Sequence, residues 1–542
     1  MKVPNPVLPG FHPDPCVIRV GDDYYLVTST FEWWPAVPIY HSTDLANWRL
    51  LGHAVTRNSQ LELRGCPDSA GVWAPALSYH AGLFYLVYTD VKNARGTHKD
   101  LANYLITAPS PAGPWSDPVY LNGSGFDPSF FHDDDGRTWL LNMLWDPRPD
   151  RHHFAGILLQ EYDRSGCRLL GAPINIFKGS EDLRRTEGPH LLQRNGYYYL
   201  ITAEGGSGWT HAVTVARSRE IAGPYELSPH HPMLTSAHEP GNRLQKAGHG
   251  NLVESSDGSW YLAHLCSRPV GPHRRCILGR ETAIQNVLWT VSGWPVMAHG
   301  GNAPRDFYEA PAHRLTTGDE GYSDRFLDAN LTPVWQTLRQ PADESWLSLN
   351  ERTGFLRLKG RESLDSLFDQ SLVGLRVQHH HCNIEVTVDA APASFLQMAG
   401  LALFYNTACY YYLAVSRDEA LGRSLRLLAR DANVPREILP TAIPLPPEGP
   451  IRLRAELRGA GLRFYFQNEA AWTPVGPELD ATILSDDYPP SKQIGFAFTG
   501  LFVTLCAQDL SGGRAAADFS DFVYASEVAD TVSAATGSLP GQ

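Results

Sequence analysis

A glycine turn followed at once by an aromatic strand occurs five times in the first half of the chain: "GDDYYLVTS" (21–29), "AGLFYLVYTD" (81–90), "DGRTWLLNM" (135–143), "NGYYYLITAEG" (195–205) and "DGSWYLAHL" (257–265). Successive turn glycines, Gly21, Gly82, Gly136, Gly196 and Gly258, stand 61, 54, 60 and 62 residues apart. A period of this length, built from turns and strand-like runs, marks an internal repeat of hairpins, and no helical stripe of useful length interrupts it. "HSTDLANWRLL", "APSPAGPWSDPV" and "RSREIAGPYEL" follow three of the copies and read as the last hairpin of each unit. Five sheets of about four short strands, closed radially so that few edges stay exposed, make a five-bladed β-propeller over residues 1–310.

The repeat also selects a set of side chains. Seven to nine positions before each turn glycine, where the strand entering the turn begins, stand Asp14 in "HPDP", Ala74 in "VWAPALSYH", Asp127 in "GFDPSFFHD", Glu187 in "TEGPHLLQ" and His249 in "GHGNLVES". Innermost propeller strands run beside the central channel, so these positions meet at one mouth of it. Pro15, Pro75, Pro128 and Pro189 follow most of them and stiffen the backbone there. Any one of these residues alone reads as a turn or a strand-end cap. Three carboxylates and an imidazole together do not, because gathered like charges repel, and a repeat that needed only turns would use Asn, Ser, Gly and Asp interchangeably.

Composition narrows the ligand. The net charge of −13, with no dense Lys/Arg cluster, excludes nucleic acid and anionic membrane surfaces as partners. "MKVPNPVLPGFHPDP" has no apolar segment and no run reaches about 18 apolar residues, so neither a signal peptide nor a membrane span is expected, and the location expected is cytoplasmic. The eight cysteines form no C-x-x-C pair and read as free thiols. "HHHC" (379–382) alternates faces in a strand, so its histidines do not converge on a metal.

A neutral, ring-stacking ligand fits the remainder. Aromatics make up 11% of the chain, with 14 Trp and 23 Tyr, more ring surface than a core of this size needs. Phe31, Trp33, Trp34, Trp73, Trp145 and Trp209 fall in or near propeller loops, where they can offer faces to sugars. Two carboxyl groups astride a bond, one as acid and one as base, are what glycoside hydrolysis requires. A third nearby carboxylate would raise the pKa of the acid and keep it protonated near neutrality.

The strings "NPVLPGFHPDPCVIRVGDDYYLVTSTFEWWPAVPIYHSTDLANW", "GVWAPALSYHAGLFYLVYTDV", "GFDPSFFHDDDGRTWLLNMLWDP", "RTEGPHLLQRNGYYYLITAEGG", "KAGHGNLVES" and "LGRETAIQ" resemble the β-xylosidases of glycoside hydrolase family 43, including those that also cleave α-L-arabinofuranosides. The resemblance runs in order over about 1–300 and resumes near 490–525. It implies an inverting, exo-acting hydrolase that releases xylose from the non-reducing end of β-1,4-xylooligosaccharides, with arabinose-bearing oligosaccharides as further substrates. It makes Asp14 the general base, Glu187 the general acid, and Asp127 the carboxylate that tunes and orients the acid. Phe31, Trp73, Ala74, His249 and Arg280 would surround the terminal sugar, with Trp145 toward the leaving group. Where the family has Thr after "AEGG", this chain has Ser207, which puts that corner of the pocket in question. No cofactor is required by the resemblance, although some relatives place Ca²⁺ near the histidine equivalent to His249, and dimers or tetramers are common among them.

From about 320 the texture changes to alternating runs such as "GFLRLKG", "CNIEVTVDA", "LALFYNTACYYYLAVS" and "IRLRAELRGAGLRFYFQ", which read as two antiparallel sheets with one buried face each. A jelly-roll β-sandwich is expected over 320–530, followed by a flexible tail at 531–542. The resemblance implies that the sandwich packs on the propeller and that a loop aromatic, Phe502 in "TGLFVTL", closes the pocket rim. Three other readings stay open on the sequence alone: a retaining five-bladed glycosidase, a non-catalytic sugar-binding propeller, and an arabinofuranosidase without xylosidase action.

Overall fold

The computed structural model describes residues 1–311, 321–468, 471–490, 495 and 497–527, so the tail expected at 531–542 lies outside the described residues. Five antiparallel meanders follow one another in chain order, four of them four-stranded and the fourth with a further short strand, Leu234–Thr235, paired to Ala212–Ser218. Their innermost strands are Cys16–Val20, Gly71–His80, Ser129–His132, Glu187–Arg194 and Gln245–Glu254, each paired to the aromatic strand behind its turn glycine. Those five glycines all have φ between 65° and 87°, a region that only glycine enters freely, which is why the repeat is so legible. The blades are stitched by single polar contacts as well as by apolar packing. Asn251 of blade five both accepts from and donates to the backbone of Val17 in blade one, and Ser129 of blade three donates to the carbonyl of Pro189 in blade four.

The ring is closed by the chain's own beginning. Lys2–Pro4 pairs with Phe307–Glu309, and the Asn5 amide exchanges two hydrogen bonds with the backbone of Ile284 in blade five. This pair forms a small sheet of its own beside the direct contact of blade five with blade one.

Residues from Gly321 onward form a sandwich of two antiparallel sheets, and strands such as His381–Ala390 and Ile451–Arg458 alternate between buried and half-buried residues along their length. One of the two sheets ends on a strand that the propeller supplies: Trp33–Trp34 pairs with Gln336–Leu338. Trp33 and Trp34 are therefore core residues, 0% and 2% exposed, and not the sugar platforms expected of them. The Trp33 ring stacks on Phe502 at 3.6 Å between centroids with an interplanar angle of 12°. Propeller and sandwich thus share one apolar core, from Val27 and Leu86 through Phe11 to Phe404 and Phe502. Among the described residues, no helix is long and apolar enough to cross a membrane.

Candidate active site

The repeat position that gathers side chains at the mouth carries an unusual backbone. Asp14, Ala74, Asp127 and His249 have φ of 54°, 33°, 56° and 40°, and in blade four the matching left-handed residue is Gly188 at 56°, just after Glu187. Non-glycine residues held this way cost about 1–3 kcal/mol each and persist where the surrounding structure dictates them. Here the left-handed step falls two residues before the inner strand in blades one and three and within it in blades two, four and five. Gly188 has a second reason to be glycine, since a Cβ there would stand 2.9 Å from the His249 ring.

A cavity of about 270 Å³ opens at this mouth. Asp14, Asp127 and Glu187 line it, together with Phe31, Trp73, Trp145, Ser207, His249 and Arg280, so nine of the expected site residues come together from the five blades. Ala74 does not line the cavity. It acts through its backbone, whose N–H donates to Ser29 Oγ at 2.7 Å while that hydroxyl donates to Asp14 Oδ2 at 2.7 Å. Phe502 is also absent from the wall, because its ring is fully buried on Trp33; the sandwich aromatic at the rim is Phe498, four residues earlier. Lys99, Phe126, Phe154, Arg185 and Gly206 complete the lining and were not anticipated. Phe126, Gly206 and Arg185 had a weak signal in the sequence, as near neighbours of Asp127, Ser207 and Glu187. Trp145 donates its indole N–H to the Thr97 carbonyl at 2.7 Å and carries the Lys99 ammonium over its face at 4.6 Å.

The three acids share one strong counter-charge. Arg280 donates through Nη1 to Asp14 Oδ1 at 3.0 Å and through Nη2 to the Phe498 carbonyl at 3.2 Å, and His249 Nδ1 lies 3.6 Å from the same Asp14 oxygen. Burial works to raise the Asp14 carboxyl, but Arg280, His249 and Ser29 outweigh it and hold Asp14 below the ordinary carboxylate range. Glu187 moves the other way: burial first, then the charge of Asp14, push it up to about 8, against the pull of Arg280 and Arg185. Asp127, which accepts from the Gly188 N–H at 3.0 Å, is raised well above its usual value by burial and by its two acidic neighbours. At neutral pH the mouth therefore holds an ionised Asp14 and a protonated Glu187, and the charge that raises Glu187 comes from Asp14 rather than from Asp127. Burial and Arg280 keep the His249 imidazole neutral.

A Ca²⁺ ion beside His249 would find few oxygen donors among the described side chains there. The imidazole is surrounded by His190, His211 and Arg280, and its one close carboxylate, Asp14, is already paired with that guanidinium. Calcium seeks about six to eight oxygen ligands.

A propeller mouth with an ionised carboxylate, a protonated carboxyl and aromatic walls is the equipment of a glycoside hydrolase. The comparisons agree: the model of glycosyl hydrolases family 43 matches residues 3–295, and that of the β-xylosidase C-terminal concanavalin A-like domain matches residues 323–525. The chain is 47% identical to xylosidase/arabinosidase 43B of Humicola insolens over 96% of its length and 97% of the relative's, and 46% identical to a β-xylosidase of Bacillus subtilis over 97% and 99%. A crystal structure of xylan β-1,4-xylosidase from Bacillus halodurans superposes with a TM-score of 0.93 at 50% identity, covering 96% of this chain and 100% of that one. The chain belongs to glycosyl hydrolases family 43.

Proposed function

We propose that this protein is an exo-acting β-xylosidase that removes xylose from the non-reducing end of β-1,4-xylooligosaccharides with inversion, and that the same pocket accepts terminal α-L-arabinofuranosides. The observation that carries the reading is the opposite displacement of two carboxyl groups in one cavity: Asp14 down, Glu187 up to about 8. In this reading Glu187 protonates the departing glycosidic oxygen while Asp14 takes a proton from the attacking water on the opposite face of the sugar. Arg280 and Ser29 keep Asp14 ionised and aimed, and Asp127, anchored on the Gly188 amide, fixes the geometry beside the acid. Trp73, Phe31 and Phe498 supply ring faces for the pentose. The names borne by the Humicola and Bacillus relatives support the substrate class.

Proton NMR of 1,4-β-xylobiose hydrolysis tests the stereochemistry. The first xylose released is expected as the α anomer; β-xylose appearing first would turn one carboxylate into a nucleophile and overturn the inverting assignment. No step passes through a metal, so turnover is expected to be unchanged after dialysis against EDTA, and loss of activity restored by Ca²⁺ would contradict that. The eight cysteines are all unpaired and seven are buried, which supports a reducing, cytoplasmic location. A dimer or tetramer in solution belongs to the same proposal, and sedimentation velocity reads it directly.

A further inference from the structure

Two aromatic walls of the cavity, Trp73 from the propeller and Phe498 from the sandwich, meet nearly edge to face at 5.9 Å and 88°. Both are held by the same residue outside the cavity. Ser69 accepts the Trp73 indole N–H on its backbone carbonyl at 2.9 Å and the Phe498 backbone N–H on its hydroxyl at 3.0 Å. Its own N–H donates to Glu32 Oε2 at 3.0 Å. Ser69 is fully buried with φ of 60°, in the turn that ends where the inner strand of blade two begins.

That turn is gripped from the sandwich as well. Arg339, itself 1% exposed and at φ 65°, donates through its backbone N–H to the Glu32 carbonyl at 2.9 Å, through Nε to the Cys66 carbonyl at 2.6 Å and through Nη2 to Asp68 at 2.6 Å. Thr407 donates to the other oxygen of Asp68 at 2.5 Å. Glu32 is 0% exposed and its Oε1 finds no partner among the described residues. Burial and the nearby Asp68 push this carboxyl up to about 8, so it rests as a neutral acid and can anchor the turn without adding a buried charge. Neither Ser69 nor Glu32 lines the cavity.

We infer that Ser69 is a positioning residue for the sugar pocket: its amide, carbonyl and hydroxyl tie Glu32, Trp73 and Phe498 into one unit that fixes how the propeller wall and the sandwich wall face each other. The inference rests on the reading of this cavity as a sugar pocket. Its consequence is a division of labour. Asp14, Asp127 and Glu187 make no hydrogen bond to Ser69 and are linked to it only indirectly, through the Phe498 carbonyl and Arg280, whereas the Trp73 and Phe498 walls are bonded to it directly. Removing the hydroxyl frees the Phe498 segment and loosens one wall, so sugar affinity suffers and the chemical step is largely spared.

Ser69→Gly is the informative variant, because glycine is at ease at φ 60°, and the change removes the hydroxymethyl group while leaving the backbone N–H and carbonyl in place. On xylobiose, KM is expected to rise about tenfold while kcat moves less than twofold, and calorimetric titration with D-xylose is expected to show a matching loss of affinity. An unchanged KM and xylose Kd in a folded variant overturns the assignment. Should Ser69→Gly fail to fold, the Glu32 pair decides: Glu32→Gln, which keeps the acceptor for the Ser69 amide, is expected to hold KM within about twofold, and Glu32→Ala to raise it. Equal KM in the two variants counts against the idea. A parent enzyme that neither binds xylose nor cleaves xylobiose overturns the sugar-pocket reading itself, whereas a working parent matched by Ser69→Gly overturns the role of Ser69 alone.

Discussion

Two buried acidic clusters lie a few residues apart on the inner strand of blade five, and they have opposite characters. Around His249, three carboxyl groups share the buried guanidinium of Arg280, with only the exposed Arg185 besides, and two of the three are driven to hold protons. Around Lys246, two carboxyl groups share one ammonium, with Nζ 3.2 Å from Asp486 and 2.8 Å from Asp487. Cys276 completes the second group, whose ligand atoms lie within 4.8 Å of one another, and the site a cation would want is filled by the protein's own lysine. There Asp487 is held below its usual range by Lys246 despite burial, Asp486 rises only to about 6, and the lysine is raised. Two carboxyls held directly on one ammonium make a joint between propeller and sandwich. Withholding one counter-charge, at a cavity, makes a proton donor.

The contrast is broken most strongly at Glu187. Glu187→Gln is expected to lower kcat/KM on xylobiose by about 10²–10⁴-fold, the range general acid catalysis covers, and by much less on a nitrophenyl xyloside, whose leaving group needs no proton. Equal losses on both substrates would remove Glu187 from the acid's role. The same change should stabilise the protein at alkaline pH. A carboxyl raised from 4.5 to about 8 in the folded state favours folding most below 4.5 and loses that contribution as pH climbs through about 8. Thermal melts of the two proteins are therefore expected to converge near pH 4.5 and to separate toward pH 8, with the glutamine variant higher.

At the other cluster the expected effect is on stability. Lys246→Met leaves Asp486 and Asp487 buried without their cation, a change of about 3–5 kcal/mol by denaturant unfolding at pH 7.5. The penalty should shrink toward pH 5, where the two carboxyls can take up protons. A penalty that stays constant over that range would mean that lost packing, and not unpaired charge, explains it.

The sequence made the acids legible and hid the walls for a physical reason. Asp14, Asp127, Glu187 and His249 sit at a repeat position, and a repeat turns local spacing into a spatial prediction. Phe498 belongs to no repeat. It stands in "AFTGLF" with Phe502, and only the pairing of Phe502 with Arg376 and its stack on Trp33 reveal which ring turns inward to the core and which faces the cavity. Trp33 and Trp34 misled for the same reason, since their partner strand Gln336–Leu338 lies some 300 residues away and no local pattern announces a strand lent by one domain to another. Lys99 was unreadable, and Arg185 only weakly legible, because a charged loop residue looks the same whether it faces solvent or a cavity.

Arg185 gives the smallest and sharpest test of the contrast. It is exposed at the cavity wall with φ of 52°, following Arg184 at 55°, and its guanidinium packs so closely over Gly206 that a Cβ there would come within 2.9 Å of Nη1. Its positive charge favours the ionised form of Glu187, so removing it must raise the Glu187 pKa further and carry the alkaline limb of kcat/KM to higher pH. For an exposed charge the move is expected to be roughly a few tenths of a pH unit, fading at high salt, with Arg185→Lys leaving the limb nearly in place. The acid limb belongs to Asp14, whose carboxyl is governed by Arg280 and His249 and not by Arg185, so it should stay where it is. If both limbs move together, the cluster titrates as one body and the separate assignment of acid and base to Glu187 and Asp14 fails. If only the alkaline limb moves, and upward, then a single surface cation shifts a proton in the under-compensated cluster. The same loss at Lys246, where both carboxyls lie directly on the ammonium, would instead loosen the joint between the domains.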